Sequence, residues 1–225
     1  MKNRIKILLH KLGIYEISRK IISKIYYPYK NYRIRSKTEI ILKKLNDVFE
    51  KNTKDYWLDY GTLLGYVRER KIIKGDLDLD FGVIADKSLS TYLEKEEIYL
   101  IQQLEVEGVL TAEQYRYKDI GFDIFYYRLE DNKLKTNVWL ALDYSIPQKV
   151  VYEQGKGELG ENIFSIFQTK QITFYKVPFK IPENSDLYLK EHYGDDYMIP
   201  NPNFSHRDEK NRIKVDKKFK VLFYD

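Results

Sequence analysis

Three carboxylates alternate with leucine at Asp76, Asp78 and Asp80. Successive side chains of a β-strand point to opposite faces, so a strand here puts the three aspartates on one face and Leu77, Leu79 and Phe81 on the other. Same-face neighbours then sit about 6.5–7 Å apart. At an effective dielectric of about 20, each such pair repels by roughly 2–3 kcal/mol. A charge-blunted sheet edge is the bland explanation, but an edge tends to mix signs or carry lysine. A hard divalent cation gathers oxygen ligands and explains three unrelieved carboxylates better. Upstream stands Gly61-Thr62, which ends a strand-like stretch at Tyr56–Tyr60 and opens a short helix with Thr62 near its N-cap. Glycine lets backbone approach a ligand closely, and a helix N-terminus favours anions. Such turns are mostly ordinary caps. Paired with a carboxylate strand, this one suits metal-dependent phosphoryl or nucleotidyl transfer.

Asp123 is the best further carboxylate. In Ile-Gly-Phe-Asp-Ile-Phe-Tyr it shares a strand face with Gly121 and Phe125, opposite Ile120, Phe122 and Ile124. A lone acid on such a strand is costly unless paired or metal-bound. Asp143, in Leu-Ala-Leu-Asp-Tyr, is the runner-up by the same argument. Arg68, Arg70, Lys71 and Lys74 lie between turn and acidic strand; Arg68 is the first choice for neutralising phosphate, though Glu69 and the aspartates could simply pair with them. Gly65 would keep the short helix close to its neighbour. Tyr193-Gly194-Asp195, Pro200-Asn201-Pro202 and His206 read only as polar, aromatic loop.

These residues need elements to hold them. Ser36-Lys37-Thr38-Glu39 has capping-box spacing before Ile40, Ile41, Leu42, Leu45, Val48 and Phe49, which predicts a helix over 37–51. A helix follows from Thr62 to Arg70, then the acidic strand over 76–84 and a helix over Ser88–Gln103. Strands are expected at Val109–Arg116, Ile120–Arg128 and Asn137–Tyr144. A Gly-rich loop begins at Tyr152, a strand spans Ile172–Pro178, and a helix spans Asn184–His192 before an irregular end. Helix, strand, helix and then a run of strands is an α+β pattern and not a doubly wound one.

The 225 residues suffice for one sizeable domain or a domain with an appendage. With 21 tyrosines the chain can build a core. It has no cysteine, so disulfides, thiol nucleophiles and Cys-based zinc sites are excluded, and its three histidines give little basis for a His-rich metal cluster. The net charge of +5 is uneven: residues 1–44 hold 13 Lys/Arg and two Glu, or +11, which leaves −6 on the remainder. Ile5, Leu8, Leu9 and Leu12, then Ile14, Ile17, Ile21, Ile22 and Ile25, recur at helical spacing among Lys and Arg, with a break near Gly13. Such a basic amphipathic helix either lies on an anionic membrane surface or packs on the domain. An irregular aromatic-basic connection is expected over Tyr26–Arg33. The division is thus a basic extension over 1–35 and a catalytic domain over 36–225. No apolar run reaches the ~18 residues of a membrane span, and the start is unlike a signal peptide. A cytoplasmic location is expected, with peripheral attachment to the inner membrane face left open.

Gly61-Thr62-Leu63-Leu64-Gly65, Arg68 and Asp76-Leu77-Asp78-Leu79-Asp80 together resemble the signature of the LicD/fukutin family of phosphotransferases. Phe122-Asp123-Ile124, Val177-Pro178, Tyr188-Leu189 and Tyr193-Gly194-Asp195 also look like that family, and Pro200-Asn201-Pro202 is similar to the end of its fukutin-related branch. The likeness covers roughly residues 40–205. It implies a nucleotidyltransferase-like mixed sheet flanked by helices. The implied activity is transfer of a phospho-alcohol (phosphocholine, ribitol phosphate or glycerol phosphate) from a CDP-activated donor to a hydroxyl of a glycan or lipid-linked glycan, with CMP leaving. By the resemblance, Asp78 and Asp80 are Mg2+ (or Mn2+) ligands with Asp76 beside them, and Asp123 is a further ligand or the base. Gly61, Thr62 and Gly65 contact the donor with Arg68. Gly75 departs from the bulkier or acidic residue common before the first aspartate. No nucleic-acid partner is implied. Competing readings are a nucleotidyltransferase that releases pyrophosphate, a GT-A glycosyltransferase and a membrane-bound scaffold.

Overall fold

A computed structural model describes residues 2–143, 145–201 and 204–224. Two helices open the chain, α1 (Lys2–Lys11) and the 38-residue α2 (Tyr15–Asn52), separated by a turn at Gly13 with φ of 70°. The expected break near Gly13 is present. The irregular connection at 26–33 is not: α2 runs through Pro28 and absorbs the helix expected at 37–51. It therefore also runs across residue 35, where the sequence pattern divides extension from domain.

Then follow β1 (Asp55–Leu58), α3 (Tyr60–Glu69), β2 (Asp80–Ile84), α4 (Ser90–Glu94), β3 (Ile98–Val106), β4 (Val109–Tyr117), β5 (Ile120–Tyr126), β6 (Arg128–Glu130), β7 (Lys133–Ala141), α5 (Gln148–Glu153) and β8 (Gly157–Phe164). The chain ends with β9 (Thr169–Phe174), β10 (Val177–Pro182), α6 (Ser185–Tyr193), a 3-10 turn at His206–Asp208, β11 (Arg212–Lys214) and β12 (Phe219–Phe223). The fold is α+β. Its main sheet has the order β1-β2-β5-β4-β3-β12, antiparallel except for the β2–β5 pair. A second antiparallel sheet runs β11-β8-β7-β6, and β9–β10 is a hairpin whose turn residues Tyr175 and Lys176 have positive φ.

One face of the main sheet carries Phe81, Val83, Phe122 and Ile124, all fully buried. Against it lies the second half of α2, through Ile41, Leu42, Leu45 and Phe49, with the Phe49 and Phe81 rings 5.9 Å apart. Burying these side chains supplies about 2–3 kcal/mol each, enough to fix which face of β2 and β5 points inward. The opposite face is left for Asp80 and Asp123.

Three expectations fail for tertiary reasons. The helix over Ser88–Gln103 stops at Glu94; Glu97 adopts φ of 62°, and the stretch after it, opening Ile-Tyr-Leu-Ile, joins the sheet between β4 and β12. The Gly-rich stretch after Tyr152 is β8. Gly157 and Gly160 lie under Trp139 and Arg212, where a Cβ would fall 2.1 and 2.6 Å from those side chains. The irregular end contains β11 and β12, the latter closing one edge of the main sheet. Among the described residues, no helix is long and apolar enough to cross a membrane.

Candidate active site

The acidic stretch is strand only from Asp80 onward; Asp76 and Asp78 sit in the irregular segment before β2. Gly75, at φ of 97°, turns the chain there, and the Asp76 N–H donates to Ile73 O at 3.2 Å. Strand alternation therefore does not bring these acids together. The loop folds back to do it, with Leu79 as a fully buried anchor. In the parallel pair, Asp80 stands in register with Asp123, and the Asp123 N–H donates to Leu79 O at 2.8 Å.

α3 closes the arrangement. Its N-cap is Asp59, not Thr62: the Asp59 carboxylate accepts from the Tyr60 N–H at 2.8 Å. Gly61 and Thr62 follow in the first turn, where backbone N–H groups have no partner within the helix. A Cβ on Gly61 would lie 3.1 Å from Asp76 Oδ2 and 3.3 Å from Asp80 Oδ2, so only glycine lets the helix meet these carboxylates unhindered. Thr62 is buried behind them, its Oγ1 accepting from the Asp80 N–H at 2.8 Å, while the Asp59 N–H donates to Asp80 O at 3.0 Å. The start of α3 and the start of β2 are locked together by these bonds.

Gly61, Asp76, Asp78, Asp80 and Asp123 line one end of a cleft of about 620 Å³. Lys74, His206 and Arg212 also line it, and Phe125 and Trp139 belong to its apolar wall. Burial, then the charge of Asp78, raises the Asp76 pKa to about 7. Burial and then the charges of Asp78, Asp76, Asp123 and Asp59 push Asp80 well above the carboxylate range. Behind the cleft, burial lifts Asp59 to about 6 against the hydroxyls of Tyr188 and Tyr127, which both donate to it.

Three of the expected donor contacts lie elsewhere, beginning with Thr62, which is buried behind the carboxylates and does not line the cleft. Arg68 does not line the cleft; its guanidinium donates to the carbonyls of Tyr197 and Ile199 and so anchors the C-terminal segment. Gly65 faces away: a Cβ there would meet Lys71 O at 2.6 Å and Ile73 N at 3.0 Å, which is the close approach expected of it. Asp143 sits in a loop after β7, accepting from Ser145, and is not in the cleft. Pro202, in the Pro-Asn-Pro element, is outside the described residues.

The sequence reading missed Glu209. This buried acid gathers Arg212, His206 (Nδ1 to Oε1 3.1 Å), Asn162 (3.4 Å) and His192 (3.6 Å). Burial pushes its pKa up, but His206, His192 and Arg212 outweigh that and leave it low. Its bond to Glu209 raises His206. Only the spacing of His206, Glu209 and Arg212, one turn apart, hinted at this group. Asp59 carried a clearer signal, an N-cap acid between a strand and a Gly-containing helix.

Among the described residues, no group of three or more His, Cys, Asp or Glu is arranged to hold a metal ion by itself. Magnesium would need fewer protein donors than that. It takes one or two carboxylates and keeps several waters and substrate oxygens; here hard oxygen donors meet at an open cleft, and Gly61 leaves room beside two of them.

Residues 53–184, from just before β1 to the cap of α6, match the family model described as LicD/FKTN/FKRP, nucleotidyltransferase domain. The chain belongs to the LicD family. Members of this family are generally transferases, with phospho-alcohol transfer as the general activity. The chain is 33% identical over 135 residues to the uncharacterized protein RP689 of Rickettsia prowazekii, covering 55% of this chain and 47% of that protein. It is 38% identical over 64 residues to the uncharacterized protein RT0683 of Rickettsia typhi, covering 27% and 21%. The chain thus spans about half the length of the first relative and a smaller part of the second. The LicD match includes all four cleft aspartates and Gly61. It leaves out Tyr193, His206, Glu209 and Arg212, which complete the cleft from the C-terminal side.

Proposed function

We propose that this chain transfers a phospho-alcohol from a CDP-activated donor to a hydroxyl of a cell-surface glycan or lipid-linked glycan, with CMP leaving. The observation that carries the reading is the convergence of Asp76, Asp78, Asp80 and Asp123 beside Gly61 at one end of the cleft. An anionic diphosphate donor is repelled by four carboxylates unless a cation stands between them. Asp78 and Asp80 would hold Mg2+ or Mn2+, with Asp76 and Asp123 adjacent. Bound there, the ion supplies charge neutralisation for the donor phosphates.

This chain's own residues do the rest. First-turn N–H groups of α3 and the cations Lys74 and Arg212 bind donor oxygens, the part that Arg68 was expected to play. The acceptor hydroxyl oxygen forms a bond to the phosphorus that carries the alcohol, and the bond from that phosphorus to the CMP oxygen breaks. The hydroxyl proton passes to Asp123. The aromatic side chains at the cleft, Phe125, Trp139, Tyr60 and Tyr193, would face a choline headgroup or a sugar.

Thermal-shift screening with CDP-choline, CDP-ribitol and CDP-glycerol, with and without magnesium, tests the reading. Magnesium-dependent stabilisation by one donor, followed by CMP release, is the expected result. No stabilisation by any of the three, or pyrophosphate released from a nucleoside triphosphate instead, overturns it.

A further inference from the structure

The first and second halves of α2 carry similar aliphatic residues but treat them oppositely. Ile34, Ile41, Leu42, Leu45 and Phe49 are completely buried. Ile14, Ile17, Ile21 and Ile22 at its start, with Ile5, Leu8 and Leu12 of α1, are 43–61% exposed. Among the described residues, none buries them. Isolated exposed aliphatics are ordinary, but seven recurring along two consecutive helices are more than scattered surface residues.

Their spacing settles which face they occupy. Ile14, Ile17 and Ile21, and likewise Ile5, Leu8 and Leu12, follow three- and four-residue steps, one stripe per helix. Lys6, Lys11, Lys20 and Lys24 are exposed among them. Residues 1–32 contain eight Lys/Arg and one Glu, a net charge of +7. A second copy of this chain would set +7 against +7. An anionic bilayer matches both the charge and the apolar stripe, with lysine stems reaching from apolar boundary to headgroup.

We propose that α1 and the first half of α2 are a membrane-surface anchor for bilayers containing anionic lipid. The helices lie in the interface, their aliphatic stripes in the acyl boundary and their lysines at the phosphates. The inference does not rest on the proposed reaction, since lipid binding needs neither donor nor metal.

Flotation of the full chain with vesicles of phosphatidylcholine, alone or mixed with phosphatidylglycerol, tests it. The chain should float with the anionic vesicles, weakly with the neutral ones, and less as salt rises. Each Lys→Gln change among Lys6, Lys11, Lys20 and Lys24 should weaken binding roughly 5-fold. The double variant Ile17→Asp, Ile21→Asp should lose flotation at unchanged melting temperature, because both positions are already exposed. As the chain has no cysteine, Ile21→Cys can carry a single polarity-sensitive fluorophore, whose emission should shift to the blue on adding anionic vesicles. Failure to float, unaltered flotation of the double variant or an unchanged emission overturns the proposal. So does light scattering that shows a dimer abolished by the double variant while vesicles are ignored, which would identify a second copy as the occupant.

Discussion

Gly61→Ala and Gly65→Ala add the same methyl group on adjacent turns of α3, and the structure gives them opposite outcomes. Both relieve a glycine within a helix, a gain of about 1 kcal/mol or less. At Gly65 the new Cβ meets backbone, 2.6 Å from Lys71 O and 3.0 Å from Ile73 N, which cannot move aside cheaply. Overpacking of this kind costs about 3 kcal/mol, so a net loss of about 2 kcal/mol, or roughly 4–8 °C in melting temperature, is expected for a chain of this size. At Gly61 the Cβ meets only the ends of two carboxylates, 3.1 Å from Asp76 Oδ2 and 3.3 Å from Asp80 Oδ2. Those oxygens can retreat by a few tenths of an ångström, and the helix gain survives. The melting temperature should hold or rise by a few degrees. The same retreat disturbs the donors proposed to hold the cation, and since misplacement by about 1 Å can cost roughly 10²-fold, a loss of about tenfold in CMP release is expected. Melting curves with and without magnesium, beside a CMP-release assay, separate the two variants. Full activity and unaltered magnesium response in Gly61→Ala, or a melting temperature lowered as far as that of Gly65→Ala, would refute the reasoning.

Asp80→Asn should abolish CMP release yet raise the melting temperature of the metal-free protein at neutral pH, because burial and the neighbouring carboxylates penalise ionised Asp80 in the folded state but not in the unfolded one; a lower melting temperature contradicts that penalty. Arg68→Ala should lose about 1–3 kcal/mol of stability through the orphaned Tyr197 and Ile199 carbonyls and leave the donor KM unchanged; a raised KM at full stability would return Arg68 to the cleft. His192 is buried neutral, and burial lowers its pKa from 6.5 to about 4. The folded state then binds fewer protons than the unfolded one, so His192 stabilises fully above pH 6.5 and loses that contribution as pH falls toward 4. Relative to His192→Gln, the wild type should lose on the order of 3 kcal/mol across that window, measured by urea denaturation at several pH values; parallel profiles would dismiss the buried histidine as the cause.

The carboxylates were legible because their chemistry is costly. Four acids on or near inward-turning strands have few explanations, and Asp123 was found from its neighbours alone. Asp59 and Glu209 escaped. A single acid before a helix looks like any cap, and an acid in the C-terminal segment looks like surface until the chain is seen to fold over the cleft. The helix expected over Ser88–Gln103 failed for a related reason: local pattern favoured helix, and pairing with β4 and β12 overrode it.

Taken alone, the sequence determined the α+β class, the acidic cluster of Asp76, Asp78, Asp80 and Asp123, and the basic amphipathic character of the first 35 residues, all of which follow from side-chain chemistry and short-range spacing. Only the tertiary structure decided how the acids meet: through a loop turned at Gly75, a parallel strand pair in register at Asp80 and Asp123, and a glycine that lets α3 approach them. It also moved Arg68 out of the cleft and brought Lys74, His206 and Arg212 into its lining. It left the first aliphatic stripe of α2 bare while burying the second. Convergence and exposure depend on contacts between residues far apart in the chain, and no local pattern encodes them.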